Sequence, residues 1–96
     1  MAMIQVTPDL LQAKATEVRN LKAEHDEVMS KMTALVHALD EIWKGDAQAA
    51  FVAKYDSMQS TFTNFSEMLE GYAAMMDTSA NTLREADEAL KNAMNN

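Results

Sequence analysis

Two histidines and several carboxylates are the residues with the most obvious chemical potential. His25 and His37 are twelve positions apart, which places them about 120° apart around one helix. Neither belongs to the Glu-x-x-His pair from which carboxylate-bridged metal sites are built in helical bundles. We therefore expect no metal site. We interpret His25 as a partly buried polar residue that fixes helix register, with a pH-sensing role as the alternative.

The remaining polar residues offer no catalytic pattern. The chain has no cysteine, and its two glycines, Gly45 and Gly71, are too far apart to form a phosphate-binding loop. Six of the 15 acidic residues form two short clusters, which we interpret as solvated faces, with an adaptor contact as the alternative. These clusters are Glu24, Asp26, Glu27 and Glu85, Asp87, Glu88. We expect no enzyme activity, no catalytic residue and no cofactor.

The composition limits which kinds of fold and which kinds of partner are plausible for this chain. The chain has 96 residues, of which 48% are hydrophobic, and a net charge of −7. This length suits one small domain, 1–96, that gains from association because a short chain buries its surface inefficiently. The negative charge disfavours nucleic acid and anionic membrane surfaces. No apolar run approaches the roughly 20 residues of a membrane span, so we expect no stable membrane insertion.

Helical periodicity divides the chain into two arms. Thr7 suits an N-cap, Pro8 the first helical position and Asp9 the positive end of the helix dipole, so a helix of about 8–43 is predicted. Residues 1–6, with Ile4 and Val6, are expected to form an extended lead-in. A turn of about 43–46 and a single helix of about 47–93 follow. The predicted fold class is all-α, an antiparallel hairpin of two long helices.

The turn carries the only tryptophan and one of the two glycines. Trp43 continues an apolar series of the first helix, so we expect it to pack the hairpin end. Gly45 is predicted to adopt the left-handed conformation that ends a helix, and Lys44 to contact the last carbonyls of that helix. Trp43, Lys44 and Gly45 are therefore the candidate turn motif.

Both arms have more apolar width than a two-helix contact requires. Seven-residue apolar series run along each arm, with additional apolar residues beside them. We predict that two hairpins pack face to face into a four-helix bundle as a homodimer, with a heterodimer with a paralogous hairpin as the alternative. The predicted core and dimer face comprises Leu21, Val28, Met32, Leu35, Leu39, Phe51, Phe62, Phe65, Leu69 and Tyr72.

The second arm is longer than the first. At 1.5 Å per residue, about 35 residues span roughly 52 Å and about 47 span roughly 70 Å. From about Asn81 onward, the second helix is expected to have little or no first helix beside it. That end is either flexible or reserved for a partner.

Two amphipathic arms joined at Trp43-Lys44-Gly45, after a Thr7-Pro8-Asp9 helix start, resemble the WXG-hundred (ESAT-like) family. Members are small substrates of type VII secretion systems. The resemblance implies a hairpin that dimerises into a four-helix bundle. It also implies export by a membrane ATPase of the FtsK/SpoIIIE type, without a cleavable signal peptide and from a cytoplasmic pool.

Many family members carry an export signal near the end of the second helix, a Tyr followed four positions later by Asp or Glu. The equivalent pair here is Leu83 and Asp87, in which the acid is present and the Tyr is not. The resemblance therefore implies a degenerate signal, or a signal that another chain supplies. The alternative function is an intracellular helical adaptor or chaperone that shields hydrophobic client segments.

Overall fold

A computed structural model describes residues 7–95. The predicted all-α hairpin is confirmed, because these residues form long helices and no strand. The helices are α1 (Pro8–Ala38), a short 3-10 helix (Leu39–Glu41), α2 (Asp46–Ser57) and α3 (Gln59–Met94). The molecule is a rod with extents of 77 × 23 × 21 Å. The lead-in expected for Ile4 and Val6 lies outside the described residues.

The start of α1 follows from its capping residues. The Thr7 hydroxyl accepts a hydrogen bond from the backbone N–H of Leu10 at 3.1 Å, and Pro8 occupies the first turn together with Asp9. Thr7 thereby satisfies one of the amide groups that have no partner within the helix.

The first α-helix ends at Ala38, about five residues before the position expected from its apolar pattern. The chain then tightens into the 3-10 helix, after which the N–H groups of Ile42 and Trp43 donate to the Leu39 carbonyl. Asp40 and Glu41 place negative charge at the negative end of the α1 dipole, which disfavours continuation of the helix.

The second arm consists of two helices, where the sequence pattern predicted one. Met58 lies between α2 and α3, and its N–H donates to the Tyr55 carbonyl at 3.0 Å, an i−3 contact. The Ser57 hydroxyl donates to the Lys54 carbonyl at 2.6 Å. A side chain that bonds to the last turn in this way competes with the regular helical pattern and favours a break.

Small side chains line the contact between α1 and α3. Ala15, Ala73 and Ala80 are completely buried, and Val36 is nearly so. Ser66 lies seven positions before Ala73 and is also buried. Because these side chains are short, the two helices approach closely, and the larger apolar residues on either side of the contact are left at the edge of the hairpin.

Candidate interaction surface

One broad side of the hairpin is apolar and exposed. On α1, Leu21, Val28 and Leu35 are each more than half exposed. On α3, Phe65 is 44% and Tyr72 50% exposed. Of the predicted core and dimer face, the residues that are exposed in the single chain are Leu21, Val28, Met32, Leu35, Phe51, Phe65 and Tyr72. Those that are half-buried are Leu39, Phe62 and Leu69.

This apolar side is wider than the predicted set. Further exposed apolar side chains extend it along α3 and toward both ends of the rod; they are Leu10, Met58, Met68 and Met75. Contiguous apolar surface of this extent is uncommon on a soluble monomer and marks an interaction site. We name these residues the apolar face: the seven exposed members of the predicted set together with Leu10, Met58, Met68 and Met75.

The opposite side of the hairpin is polar and holds the two arms together. The Arg19 guanidinium contacts both carboxylate oxygens of Glu70 and donates to Asp77 Oδ2 at 2.6 Å. These contacts, with Glu70 foremost, raise the pKa of Arg19. Arg19 therefore stays charged and ties α1 to two positions of α3 that are about two helical turns apart.

Asp26 lies on the same polar side. Lys22 Nζ contacts Asp26 Oδ2 at 3.1 Å, one helical turn away. The Ser66 hydroxyl and the Lys22 ammonium lower the pKa of Asp26 from 3.8 to about 2. The carboxylate is thus kept ionised at the contact between α1 and α3.

His25 lies at the boundary between the two sides. Its side chain is 19% exposed, and its ring lies against Phe65 with centroids 5.0 Å apart. Its Nδ1 is 3.3 Å from Asp26 Oδ1. Within residues 7–95, no group of three or more His, Cys, Asp or Glu side chains is arranged to hold a metal ion. The role of His25 in fixing register stays a prediction.

At the closed end of the hairpin, the Trp43 ring lies against the Phe51 ring, with centroids 5.8 Å apart and planes tilted by 47°. Lys44 pairs with Asp40 at 3.2 Å, so the predicted contact of Lys44 with backbone carbonyls is replaced by an ion pair on the surface. Neighbouring Ile42 is 83% exposed. The closed end of the hairpin therefore presents an aromatic pair and an exposed aliphatic side chain.

Gly45 differs from its predicted conformation. Its φ is 119° and its ψ −179°, and it occupies the N-cap position of α2. The prediction of a left-handed residue that ends the first helix was wrong, because α1 ends well before it. The positive φ still requires glycine, since this combination of angles is essentially inaccessible to residues with a Cβ.

At the open end, Arg84 joins the second arm to the start of α1. Its Nη2 donates to Asp9 Oδ1 at 2.9 Å and to Gln12 Oε1 at 2.7 Å. The first helix therefore accompanies the second to about residue 84, further than the predicted limit near Asn81. Residues 85–94 are helical and exposed. Of the possible export signal, Leu83 is half-buried and Asp87 exposed.

A hydrogen-bonded node near the closed end was not found by sequence reasoning. The Thr33 hydroxyl lies 2.9 Å from the Tyr55 hydroxyl, and Gln59 Nε2 donates to it at 3.3 Å. In the sequence, Tyr55 is one more member of an apolar series. The partner of its hydroxyl could not be predicted, because that partner depends on the register of the two arms.

Comparisons with known proteins agree over nearly the whole chain. The family profile described as WXG100, proteins of 100 residues with WXG, matches residues 3–88. An uncharacterized protein of Clostridium acetobutylicum is 31% identical over 87 residues, covering 91% of each chain. The type VII secretion system extracellular protein A of Staphylococcus aureus is 23% identical over 92 residues, covering 96% of this chain and 95% of that protein.

The fold also matches solved structures. EsxA of Geobacillus thermodenitrificans superposes with a TM-score of 0.79 at 22% identity, covering 94% of this chain and 97% of that one. Among the described residues, no helix combines the length and apolar character that crossing a membrane requires.

Proposed function

Since the chain belongs to the WXG100 family, we propose that it is a type VII secretion substrate that is exported as a dimer and acts through protein–protein contacts. The resemblance seen in the turn motif and the helix start is confirmed by this membership. The family consists of secreted substrates, and a relative is named as an extracellular protein of such a system. The observation that carries the proposal is the exposed apolar face on a hairpin of this family.

A second copy of the chain is the proposed partner for the apolar face. Burying a large apolar side chain such as Leu35 or Phe65 stabilises an interface by roughly 1.5 to 3 kcal/mol before entropy is subtracted. A two-fold axis perpendicular to the rod would place α1 and α3 of one hairpin over the corresponding face of its mate, forming an antiparallel four-helix bundle. A heterodimer with a paralogous hairpin is the alternative.

The same arrangement suggests where the export machinery binds. Trp43 is at one end of the 77 Å rod, and Leu83 and Asp87 are at the other. In a head-to-tail dimer, the Trp43 end of one chain lies beside the tail of its mate. We propose that these residues form one composite surface, with a membrane ATPase of the FtsK/SpoIIIE type as its partner.

The test of this function is export from the bacterium that encodes the chain. We expect the protein in culture supernatant, a further pool in the cytoplasm, and loss of the supernatant signal when the secretion ATPase is deleted. The intact mass of the exported chain tests whether export proceeds without a cleaved signal peptide. Strictly cytoplasmic protein in a strain with working secretion would contradict the proposal and favour an intracellular adaptor.

The composite surface has its own test. A Trp43→Ala variant that folds and dimerises but stays in the cytoplasm would support it. Normal export of that variant would show that Trp43 is not part of the composite recognition surface. An Asp87→Asn variant tests the tail in the same way.

A further inference from the structure

The closed end of the hairpin is a structural unit distinct from the long helices. Its chain leaves α1 at Ala38, and α2 ends at Ser57 before the break at Met58. The turn has a positive φ at Gly45 on one side of α2, and the break lies on the other. Something other than helix continuity must therefore fix the orientation of α2, and with it the Trp43–Phe51 pair.

The Thr33 hydroxyl joins the three helices that meet here. Thr33 lies on α1, Tyr55 in the last turn of α2 and Gln59 in the first position of α3. The Thr33 hydroxyl donates to the Met29 carbonyl at 2.8 Å. Because a hydroxyl has one proton and two lone pairs, Thr33 must then accept from Tyr55 and from Gln59, which uses its full hydrogen-bonding capacity.

The hydrogen bond between the Tyr55 and Thr33 hydroxyls is the stronger of the two polar contacts between α1 and α2. Tyr55 is 7% exposed, and its ring packs against Phe62 with centroids 5.7 Å apart. The second contact, from His37 to Asp56 at 3.1 Å, joins side chains that are about half exposed. Exposed pairs of this kind contribute little to stability, whereas the Thr33–Tyr55 bond is partly shielded from water, so its loss costs more.

Tyr55 is also in line with the aromatic pair. Phe51 and Tyr55 are four positions apart on α2, so they lie one turn apart on the same face of the helix. The α2 face that carries Phe51 and Tyr55 is thus held at one end by the Trp43–Phe51 contact and at the other by the Tyr55–Thr33 hydrogen bond.

We propose that Tyr55 is a positioning residue, whose hydroxyl bond to Thr33 fixes α2 and thereby the orientation of Trp43 for recognition by the export machinery. The recognition step rests on the proposed function. The positioning step is physical and can be measured on the purified chain.

The experiment uses Tyr55→Phe, which keeps the ring contact with Phe62 and removes the hydroxyl alone. Thr16→Val is the matched control, because the exposed Thr16 hydroxyl donates to the Gln12 carbonyl one turn earlier in α1, as the Thr33 hydroxyl does to the Met29 carbonyl. Trp43 is the only tryptophan, so its fluorescence and its quenching by acrylamide report on the hairpin end without labelling. For Tyr55→Phe we expect stronger quenching and amide exchange in α2 that is about fivefold faster, with the middle of α1 unchanged.

Export of the same variants connects the positioning step to recognition. We expect less Tyr55→Phe protein in the supernatant at an unchanged dimer mass, and wild-type export of Thr16→Val. Thr33→Val removes the acceptor, and we expect it to have the same effect, with no further loss in the double variant.

The outcomes separate the two proposals. Unchanged quenching and α2 exchange in both Tyr55→Phe and Thr33→Val would overturn the positioning role. Altered quenching with normal export would overturn its link to recognition. Lack of export of the wild-type chain would contradict the proposed function itself, and the positioning role would then be decided by the fluorescence and exchange data.

Discussion

Trp43 and Phe51 lie on opposite sides of the Gly45 turn, and their rings pack together with centroids 5.8 Å apart. The tilt of 47° is between stacked and edge-to-face, within the range that aromatic pairs favour. Because the two residues belong to different arms, this contact closes the hairpin, and Trp43 remains 37% exposed. Trp43 thus packs against Phe51 to close the hairpin and also leaves part of its ring accessible at the closed end.

The Trp43–Phe51 contact predicts energetic coupling between the two positions. In a double-mutant cycle with Trp43→Ala and Phe51→Ala, we expect a coupling of about 0.5 to 1.5 kcal/mol. Denaturant unfolding of the four proteins at one concentration measures it. Additive effects of the two substitutions would show that the rings do not interact in solution.

Comparing Gly45→Ala with Gly71→Ala tests whether the turn requires glycine, because only Gly45 has a positive φ among the described residues. A Cβ at Gly45 meets no atom within 4 Å, so the cost arises from φ alone, and we expect destabilisation of about 1 to 2 kcal/mol. Gly71 is helical and equally unobstructed, so Gly71→Ala should stabilise by about 1 kcal/mol. Melting temperatures that move in the same direction for both variants would contradict this assignment.

A charge on the apolar face is predicted to prevent dimerisation. Leu35→Glu places a carboxylate in the proposed interface, and we expect the dissociation constant to rise about a hundredfold or more, since burial of an unpaired polar group costs about 3 kcal/mol. Ala34→Glu adds the same charge to the exposed adjacent position, which faces away from Leu35 by about 100°. Equal dimer masses for the two variants would place the interface elsewhere.

Asp26 predicts a dependence of stability on pH. Its pKa is lowered from 3.8 to about 2, so its contribution is present above pH 3.8 and is lost as the pH falls through about 2. Asp26→Asn should therefore melt below the wild type near neutral pH, with a gap that narrows toward pH 2. Glu24→Gln, which removes a carboxylate from an exposed position of the same helix, is the control; an identical pH profile for both variants would refute the assignment.

The main features of the fold follow from local chemistry that is visible in the sequence. Thr7 and Pro8 define a helix start through capping, which depends on neighbours a few residues away. Helix ends depend on more. The first helix ends early, at Ala38, because the negative charges of Asp40 and Glu41 lie at the negative end of its dipole. The break at Met58 arises because the Ser57 hydroxyl donates to the Lys54 carbonyl in the last turn of α2.

The sequence predicted which residues are apolar and lie on one side of each helix. It did not predict which of them pack within the hairpin and which remain exposed. Leu21 and Leu35 have the spacing of core residues, yet both are exposed because Ala15 and Val36 form the contact within the hairpin. Periodicity shows that a helix has an apolar side, and it does not show which part of that side one neighbour covers. Likewise, the contact of Arg84 with Asp9 depends on the register of the two arms, which periodicity within one arm does not give.

The central claim is that a second copy of the chain covers the apolar face, and sedimentation equilibrium of the purified wild-type chain tests it most directly. We predict a mass of twice 10.7 kDa at micromolar concentration, with helical content retained. A well-folded monomer of 10.7 kDa under the same conditions would contradict the account.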